Sequence, residues 1–305
     1  MRSIGAQTVR HLVQCLAVLV FSGAQPVGAS PPTLPPILPT ASSEHHPGKV
    51  IWAELVTPDV GAAEKFYAGL FHWSFRDVPS LRGTYTIAYA GDRPVGSILY
   101  RALPASGNRQ PHWLTFIATA DVDATLNSAI AHGGKAVAEP ATYPERGRQA
   151  VMTDPQGATF AILSSSSGDP PDVLAEPGEW IWSSLHTSDA AAGATFYQTV
   201  FGYDLFDTPA PDGRAHSILS SDEYARASVN GFPESPTPRH AHWLNYIRVT
   251  DADATAALAI TLGGHVIVEP HADRHGGKIA VVSDPSGAPI GIMEWSATDT
   301  KQEPK

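Results

Sequence analysis

Sliding the chain along itself by 130 residues brings long stretches into coincidence, and this internal repeat restricts the possible folds more than any other feature. Gly48-Lys-Val-Ile-Trp-Ala-Glu-Leu-Val-Thr-Pro-Asp59 falls on Gly178-Glu-Trp-Ile-Trp-Ser-Ser-Leu-His-Thr-Ser-Asp189. Phe66-Tyr67 and Phe71 fall on Phe196-Tyr197 and Phe201. The stretch starting at His112-Trp113 matches the one starting at His242-Trp243, with eight of fourteen positions identical. Gly133-Gly134 recurs as Gly263-Gly264, and Asp154-Pro-Gln-Gly-Ala158 as Asp284-Pro-Ser-Gly-Ala288. A period this long marks a duplicated domain, and the constant offset implies no net insertion between the copies.

Each copy carries two similar halves. Residues 51–56 form a short β-type run, and Asp59 offers an N-cap to a helix whose apolar Ala62, Ala63, Phe66, Tyr67 and Leu70 share one face. The second half repeats the plan: a strand over 113–118, a cap at Asp121 or Asp123, a helix over 124–131, and Gly133-Gly134 to end it. Further β-type runs follow each helix, at 84–89, 95–101, 136–138, 149–152 and 159–164. The unit is a strand, a helix, then two or three strands, used four times.

Outside the repeat, the first residues look like an export signal. Arg2 and Arg10 precede a ten-residue apolar run at 12–21, followed by small residues that offer cleavage after Ala24 or Ala29. That run is half the length of about twenty that a helix needs to span a bilayer, so no stable membrane insertion is expected after cleavage. The only cysteine, Cys15, lies in this leader, so an exported mature chain would have no disulfide, thiolate ligand or thiol nucleophile. The expected organisation is a signal peptide (1–29), a Pro-rich extended spacer (30–47), a first domain (48–166), a linker (167–177), a second domain (178–296) and a polar tail (297–305). The location implied is periplasmic or secreted. Acidic residues outnumber basic ones by 30 to 20 and no Lys/Arg cluster appears, which argues against a nucleic-acid partner.

The paired strand-helix-strand-strand-strand units resemble the vicinal oxygen chelate superfamily, which includes glyoxalase I, extradiol dioxygenases and bleomycin-binding proteins. The cues are Trp52 to Asp59, then Phe66-Tyr67-x-x-Leu70-Phe71-x-Trp73, Gly133-Gly134 and Asp154-Pro155-x-Gly157-Ala158, each recurring in copy two with Tyr203 in place of Trp73. The resemblance covers about residues 48–296 and is closest to a tandem glyoxalase-like subgroup. It implies an α+β fold of two tandem domains, each of two βαβββ units forming a concave mixed sheet, the domains packing on each other.

In metal-dependent members of that superfamily, His, Gln or Glu ligands come from the first and last strands of each unit. Here the first-strand positions hold Trp52, Trp182, Leu114 and Leu244, and the last-strand positions hold Ala161 and Gly291, with only serine available around 95–99 and 225–229. These side chains do not suit a divalent cation, so neither a metal nor another cofactor is expected. A rival site in copy two would use His240, His242, His271 and His275 with Asp273, supporting a metal-dependent lyase or dioxygenase-like reaction.

Strand alternation puts Trp52 and Glu54 on the face that should line the concavity, with Phe116 from the second unit. The matching set in copy two is Trp182, Ser184 and His186 with Tyr246 and Arg248. An aromatic concavity with a few polar groups suits a small, partly apolar molecule. Alternatively, the tryptophans fill the volume a metal site once occupied. Glu54 stands out, because a carboxylate in an apolar cleft must be paired, sit at the mouth, or be functional. Arg148 and Lys278, ahead of the Asp-Pro-x-Gly turns, read as salt-bridge partners, and a non-catalytic interaction module is a third possibility.

Overall fold

The computed structural model describes residues 33–80, 83–102, 110–208, 213–233, 239–273 and 276–295. The proposed leader, His275 and the polar tail lie outside the described residues. The first domain runs β1 (Val50–Thr57), α1 (Val60–Phe71), β2 (Ser74–Ser80), β3 (Gly83–Ala90), β4 (Arg93–Tyr100), β5 (His112–Ala118), α2 (Val122–Ala131), β6 (Lys135–Tyr143), β7 (Gly147–Thr153) and β8 (Thr159–Ser165). The second repeats it: β9 (Trp180–Thr187), α3 (Ala190–Phe201), β10 (Asp204–Asp207), β11 (His216–Ser221), β12 (Tyr224–Gly231), β13 (His242–Val249), α4 (Ala252–Thr261), β14 (His265–Ala272), β15 (Lys278–Ser283) and β16 (Pro289–Glu294).

Each domain is one eight-stranded mixed sheet, ordered β2-β3-β4-β1-β5-β8-β7-β6 and β10-β11-β12-β9-β13-β16-β15-β14. The two units of a domain join through the antiparallel pairs β1–β5 and β9–β13 at the sheet centre. The architecture is α+β, two tandem domains of paired βαβββ units. Asp59, Asp121, Asp189 and Asp251 cap the four helices, each accepting from the backbone N–H three residues on. The strands β2 and β10 escape the sequence patterns because they are edge strands with little alternation to their burial.

Register refines the repeat. Glu54 pairs with Ser97 and Ser184 with Ser228, so the first strands keep the 130-residue offset while β4 and β12 differ by 131. One residue is gained before β11 and lost again before β13, where the original offset returns.

The helices lie between the sheets. One core mixes Phe66, Tyr67 and Leu70 of α1 with Ile247, Ala256 and Ile292 of the second domain. Its counterpart mixes Leu126, Phe160 and Ile162 with Phe196, Tyr197 and Trp243. On the pseudo-twofold, the Thr115 hydroxyl lies 3.1 Å from Asn245 Oδ1. The repeated motifs meet across this interface. Trp243 Nε1 donates to Tyr197 OH at 2.8 Å, and that hydroxyl donates to Asp154 Oδ2 of the first domain at 3.4 Å. Trp113, Tyr67 and Asp284 make the mirror arrangement at 2.9 and 3.4 Å. The Asp-Pro-x-Gly segments are turns with Gly157 and Gly287 at φ of +95° and +94°. Arg148 and Lys278 pair with Asp123 and Asp253.

The segment expected to be an extended spacer is instead packed against the first domain. Leu34 and Ile37 are buried in the open face of its sheet, among Trp52, Leu114 and Phe116. Beyond them, Ser42, Glu44 and His46 bond to Ser167 and Asp169. Proline has no N–H to donate, and burying the two branched side chains contributes about 1.5–3 kcal/mol each toward holding the segment. Among the described residues, no helix is long and apolar enough to cross a membrane.

Candidate functional site

Each sheet turns one face to the helices and the other, concave face away from them. In the first domain the open face carries Trp52 and Glu54 from β1, Leu114 and Phe116 from β5, Tyr85 and Ile87 from β3, Ser97 from β4, and Ala161 and Leu163 from β8. Trp52, Glu54 and Phe116 are thus brought together as expected. The Trp52 indole donates to Ser97 Oγ at 3.0 Å. Glu54 Oε2 accepts from Tyr85 OH at 2.8 Å and Ser97 Oγ at 3.1 Å. Burial raises the Glu54 carboxyl above the usual carboxylate range; hydrogen bonds from Tyr85 and Ser97 and the nearby Arg146 charge oppose it. Tyr85 is pushed up by the same burial and by Glu54.

Glu54 is therefore paired, through Tyr85 and Ser97. A carboxyl raised in the folded state binds its proton more tightly there than in the unfolded chain, so this group favours folding as pH falls and opposes it once ionised. Glu54→Gln keeps an acceptor for Tyr85 and Ser97 and removes the charge. Thermal unfolding should show the variant more stable than the parent at pH 8, with a smaller change between pH 5 and pH 8. A variant less stable at pH 8 would contradict this account.

The second open face carries Trp182, Ser184 and His186 from β9, Leu244 and Tyr246 from β13, Ser228 from β12, and Met293 from β16. Its indole repeats the first domain's contact, Trp182 Nε1 donating to Ser228 Oγ at 3.1 Å. Ser184 and Ser228 hydroxyls lie 2.9 Å apart, and Asn230 Nδ2 donates to Ser228 at 3.2 Å. Tyr246 is pushed up to about 12 by burial, against a hydrogen bond with Ser184. His186 is held neutral, its value lowered to about 3 by burial and then by His242, whose ring stacks on it with centroids 5.5 Å apart. His186 Nε2 is buried without a hydrogen-bond partner.

Arg248 lies apart from this cluster. Its guanidinium donates to the carbonyls of Ala175 and Trp295 at 2.6 and 3.0 Å, tying the linker to the end of β16. It also lines a separate crevice of about 240 Å³ at the domain seam, with Leu70, His72 and Asp251.

The two faces differ in access. Trp52 is 2% exposed beneath Leu34 and Ile37, whereas Trp182 is only partly buried. Arg146 accounts for much of the difference. It is 1% exposed, its Cζ lies 4.3 Å over the Trp52 ring, and its Nε donates to Pro35 O at 2.7 Å. Sequence reasoning missed Arg146, Tyr85 and the role of Leu34 and Ile37. A signal existed for Arg146: the corresponding position in copy two is Gly276.

The positions where a metal would be held do not fit one. In each domain the first-strand indole is hydrogen-bonded to the β4 or β12 serine that faces it, and the other positions are Leu114, Ala161, Leu244 and Gly291. A Cβ built at Gly291 would collide with the Tyr246 ring, so that ring covers the last-strand position. Hydroxyls and indole N–H groups are poor ligands for divalent cations. Topology separates two histidines of the alternative site. His242 is on β13 and His271 on β14, with β16 and β15 between them, a separation of about 14 Å at the usual strand spacing. Among the described residues, one acidic group clusters, Asp251, Asp253 and Glu294 at the start of α4, and it is engaged: Asp253 pairs with Lys278 and Glu294 accepts from Ala252 N.

Comparison with known proteins agrees with this architecture. Residues 49–162 match the model of the glyoxalase/bleomycin resistance protein/dioxygenase superfamily, and residues 182–293 match that of a glyoxalase-like domain. CFP32 of Mycobacterium tuberculosis, which carries a provisional glyoxylase name, is 34% identical over 255 residues, covering 83% of this chain and 97% of its own. This chain belongs to the glyoxalase/bleomycin resistance protein/dioxygenase superfamily. The anthracycline biosynthesis protein DnrV of Streptomyces peucetius is 31% identical over 260 residues, covering 81% and 94%. Among solved structures, the Mn(II)-bound glyoxalase of Novosphingobium aromaticivorans superposes with a TM-score of 0.58 at 16% identity over 82% of this chain and 83% of that one. The 2,3-dioxygenase LapB of Pseudomonas sp. KL28 gives 0.57 at 14% identity over 84% and 93%. At these identities the structures speak for the fold alone.

Proposed function

We propose that this is an exported, metal-independent member of the superfamily that binds a small, partly apolar molecule in the open concavity of its second domain. The observation that carries the reading is the convergence of Ser184, Ser228, Asn230 and the unpartnered His186 Nε2 beside the apolar Trp182, Leu244, Tyr246 and Met293. A few polar groups set in an apolar wall describe a ligand pocket. The aromatic wall suits a flat, conjugated ligand, and the anthracycline relative makes an anthracycline a natural first probe. The proposed export rests on the leader pattern at residues 1–29.

The test combines elemental analysis of the purified protein with fluorescence titration of its tryptophans. Anthracycline binding that persists in chelator, with sub-stoichiometric metal, is the expected result. Near-stoichiometric divalent metal, whose removal abolishes binding or activates turnover of a 2-oxoaldehyde–thiol adduct, would overturn the reading.

A further inference from the structure

We propose that the concavity of the first domain is a second binding site, specific for a carboxylate attached to a compact apolar body, and that residues 34–38 of the chain itself sit in it as a displaceable stand-in. The inference is independent of the second-domain reading, because it concerns a different cleft and different residues.

Arg146 is the starting point. A guanidinium is rarely buried unless paired, yet no carboxylate lies within ion-pair distance of Arg146 among the described residues. Its Nε donates to the neutral Pro35 carbonyl, its Cζ lies over the Trp52 ring, and its Nη2 is buried without a hydrogen-bond partner. Nε and Nη2 form one edge of the guanidinium, the edge that takes a carboxylate side-on through two parallel hydrogen bonds. Pro35 O satisfies half of that edge. A carboxylate in its place would satisfy both halves and put a negative charge within ion-pair distance.

The rest of the strap has the shape of such a ligand. On either side of the Pro35 carbonyl, Leu34 and Ile37 bury branched apolar side chains among Trp52, Leu114 and Phe116. Among the described residues, few polar contacts hold it there. Besides the bond to Arg146, Leu38 N donates to Ser167 Oγ at 3.2 Å, and Pro35 and Pro36 have no N–H to give. Displacing residues 34–38 therefore breaks few hydrogen bonds, while the anchor from Ser42 to His46 remains. Glu54, on the same face, is already engaged by Tyr85 and Ser97, which leaves Arg146 as the group that would take the ligand's carboxylate. The second domain has Gly276 at the corresponding position.

The probes are 4-phenylbutyrate and its neutral amide, titrated by calorimetry into the full chain and into a Leu34→Ser/Ile37→Ser variant with loosened strap. The loosened variant should bind the acid about tenfold or more tighter than both the parent chain and the amide, a gap that one charge-assisted bidentate pair can supply. Adding Arg146→Met should erase the preference for acid over amide. In the parent chain, saturating acid should speed amide hydrogen exchange at residues 34–40 and leave the second domain unchanged. Equal binding of acid and amide by the loosened variant would overturn the proposal. So would unchanged exchange at the strap under saturating acid, a measurement that decides the matter alone if the variant does not fold.

Discussion

Replacing Tyr197 with alanine should lower the free energy of unfolding by about 3–5 kcal/mol, the range for truncating a large aromatic side chain in a core. The ring is fully buried and packs against Phe160 of the other domain and against Phe196, Phe201 and Trp243 of its own, with centroids 5.1 to 6.2 Å apart. Its hydroxyl also links Trp243 to Asp154 across the domain boundary. Tyr197→Phe keeps the ring and leaves the Trp243 N–H without its acceptor, so it should cost about 1–3 kcal/mol, the penalty for stranding a buried polar group. Urea unfolding followed by both tryptophan fluorescence and far-UV circular dichroism is the measurement. Because each core draws on both domains, the two probes should report one coincident transition that shifts as a whole. A neutral Tyr197→Phe would mean that the Trp–Tyr–Asp chain contributes packing alone.

That prediction explains why so much of the fold was legible in the sequence. The blocks that coincide at an offset of 130 are the caps Asp59 and Asp189, the turns at Asp154 and Asp284, and the Phe-Tyr pairs of α1 and α3. All of them build helix ends or the surface where the domains meet, and a pseudo-twofold interface needs the same residues from both copies. Periodicity and capping see such residues because their roles are local or repeated.

The clefts were only half legible. Alternation placed Trp52, Glu54, Trp182 and Ser184 on the open faces, since side-chain direction in a strand has period two. It could not find the partners of Glu54, because Tyr85 and Ser97 come from strands 31 and 43 residues away, and the bonding depends on register. Arg248 shares the alternation of Leu244 and Tyr246, and only the positions of the linker and the end of β16 reveal that its guanidinium is already engaged. The strap was missed for a different reason. A proline-rich run reads as extended spacer whether it is free or packed, since it lacks periodicity in either case. Its true position was encoded in two apolar residues, Leu34 and Ile37, that an exposed spacer would not need to carry.

The same substitution in the two copies should therefore have opposite consequences. Trp52→Ala removes a ring that is 2% exposed, stacked by Arg146 and sealed by Leu34 and Ile37, and it leaves Ser97 Oγ short of a donor. It should cost about 3–5 kcal/mol of stability, as for other buried aromatic truncations. Trp182→Ala removes the equivalent ring from a face that, among the described residues, no strap covers, and where the ring is only partly buried. Its stability cost should stay near or below about 1.5 kcal/mol, since partly exposed side chains lose less on truncation. Binding should respond the other way: if the second concavity holds an aromatic ligand, losing the Trp182 platform should weaken affinity by about 2 kcal/mol, roughly thirtyfold, as for an anchoring aromatic at a binding surface. Urea unfolding and fluorescence titration of the two variants side by side measure both quantities. Equal stability losses in the two would show that the second cleft is closed as tightly as the first, and an unchanged affinity in Trp182→Ala would move the ligand out of the second concavity. The contrast follows from one asymmetry in an otherwise repeated chain. Copy one has an arginine at position 146 and a strap ahead of its first strand, and copy two has a glycine at position 276 and, among the described residues, no strap over its face.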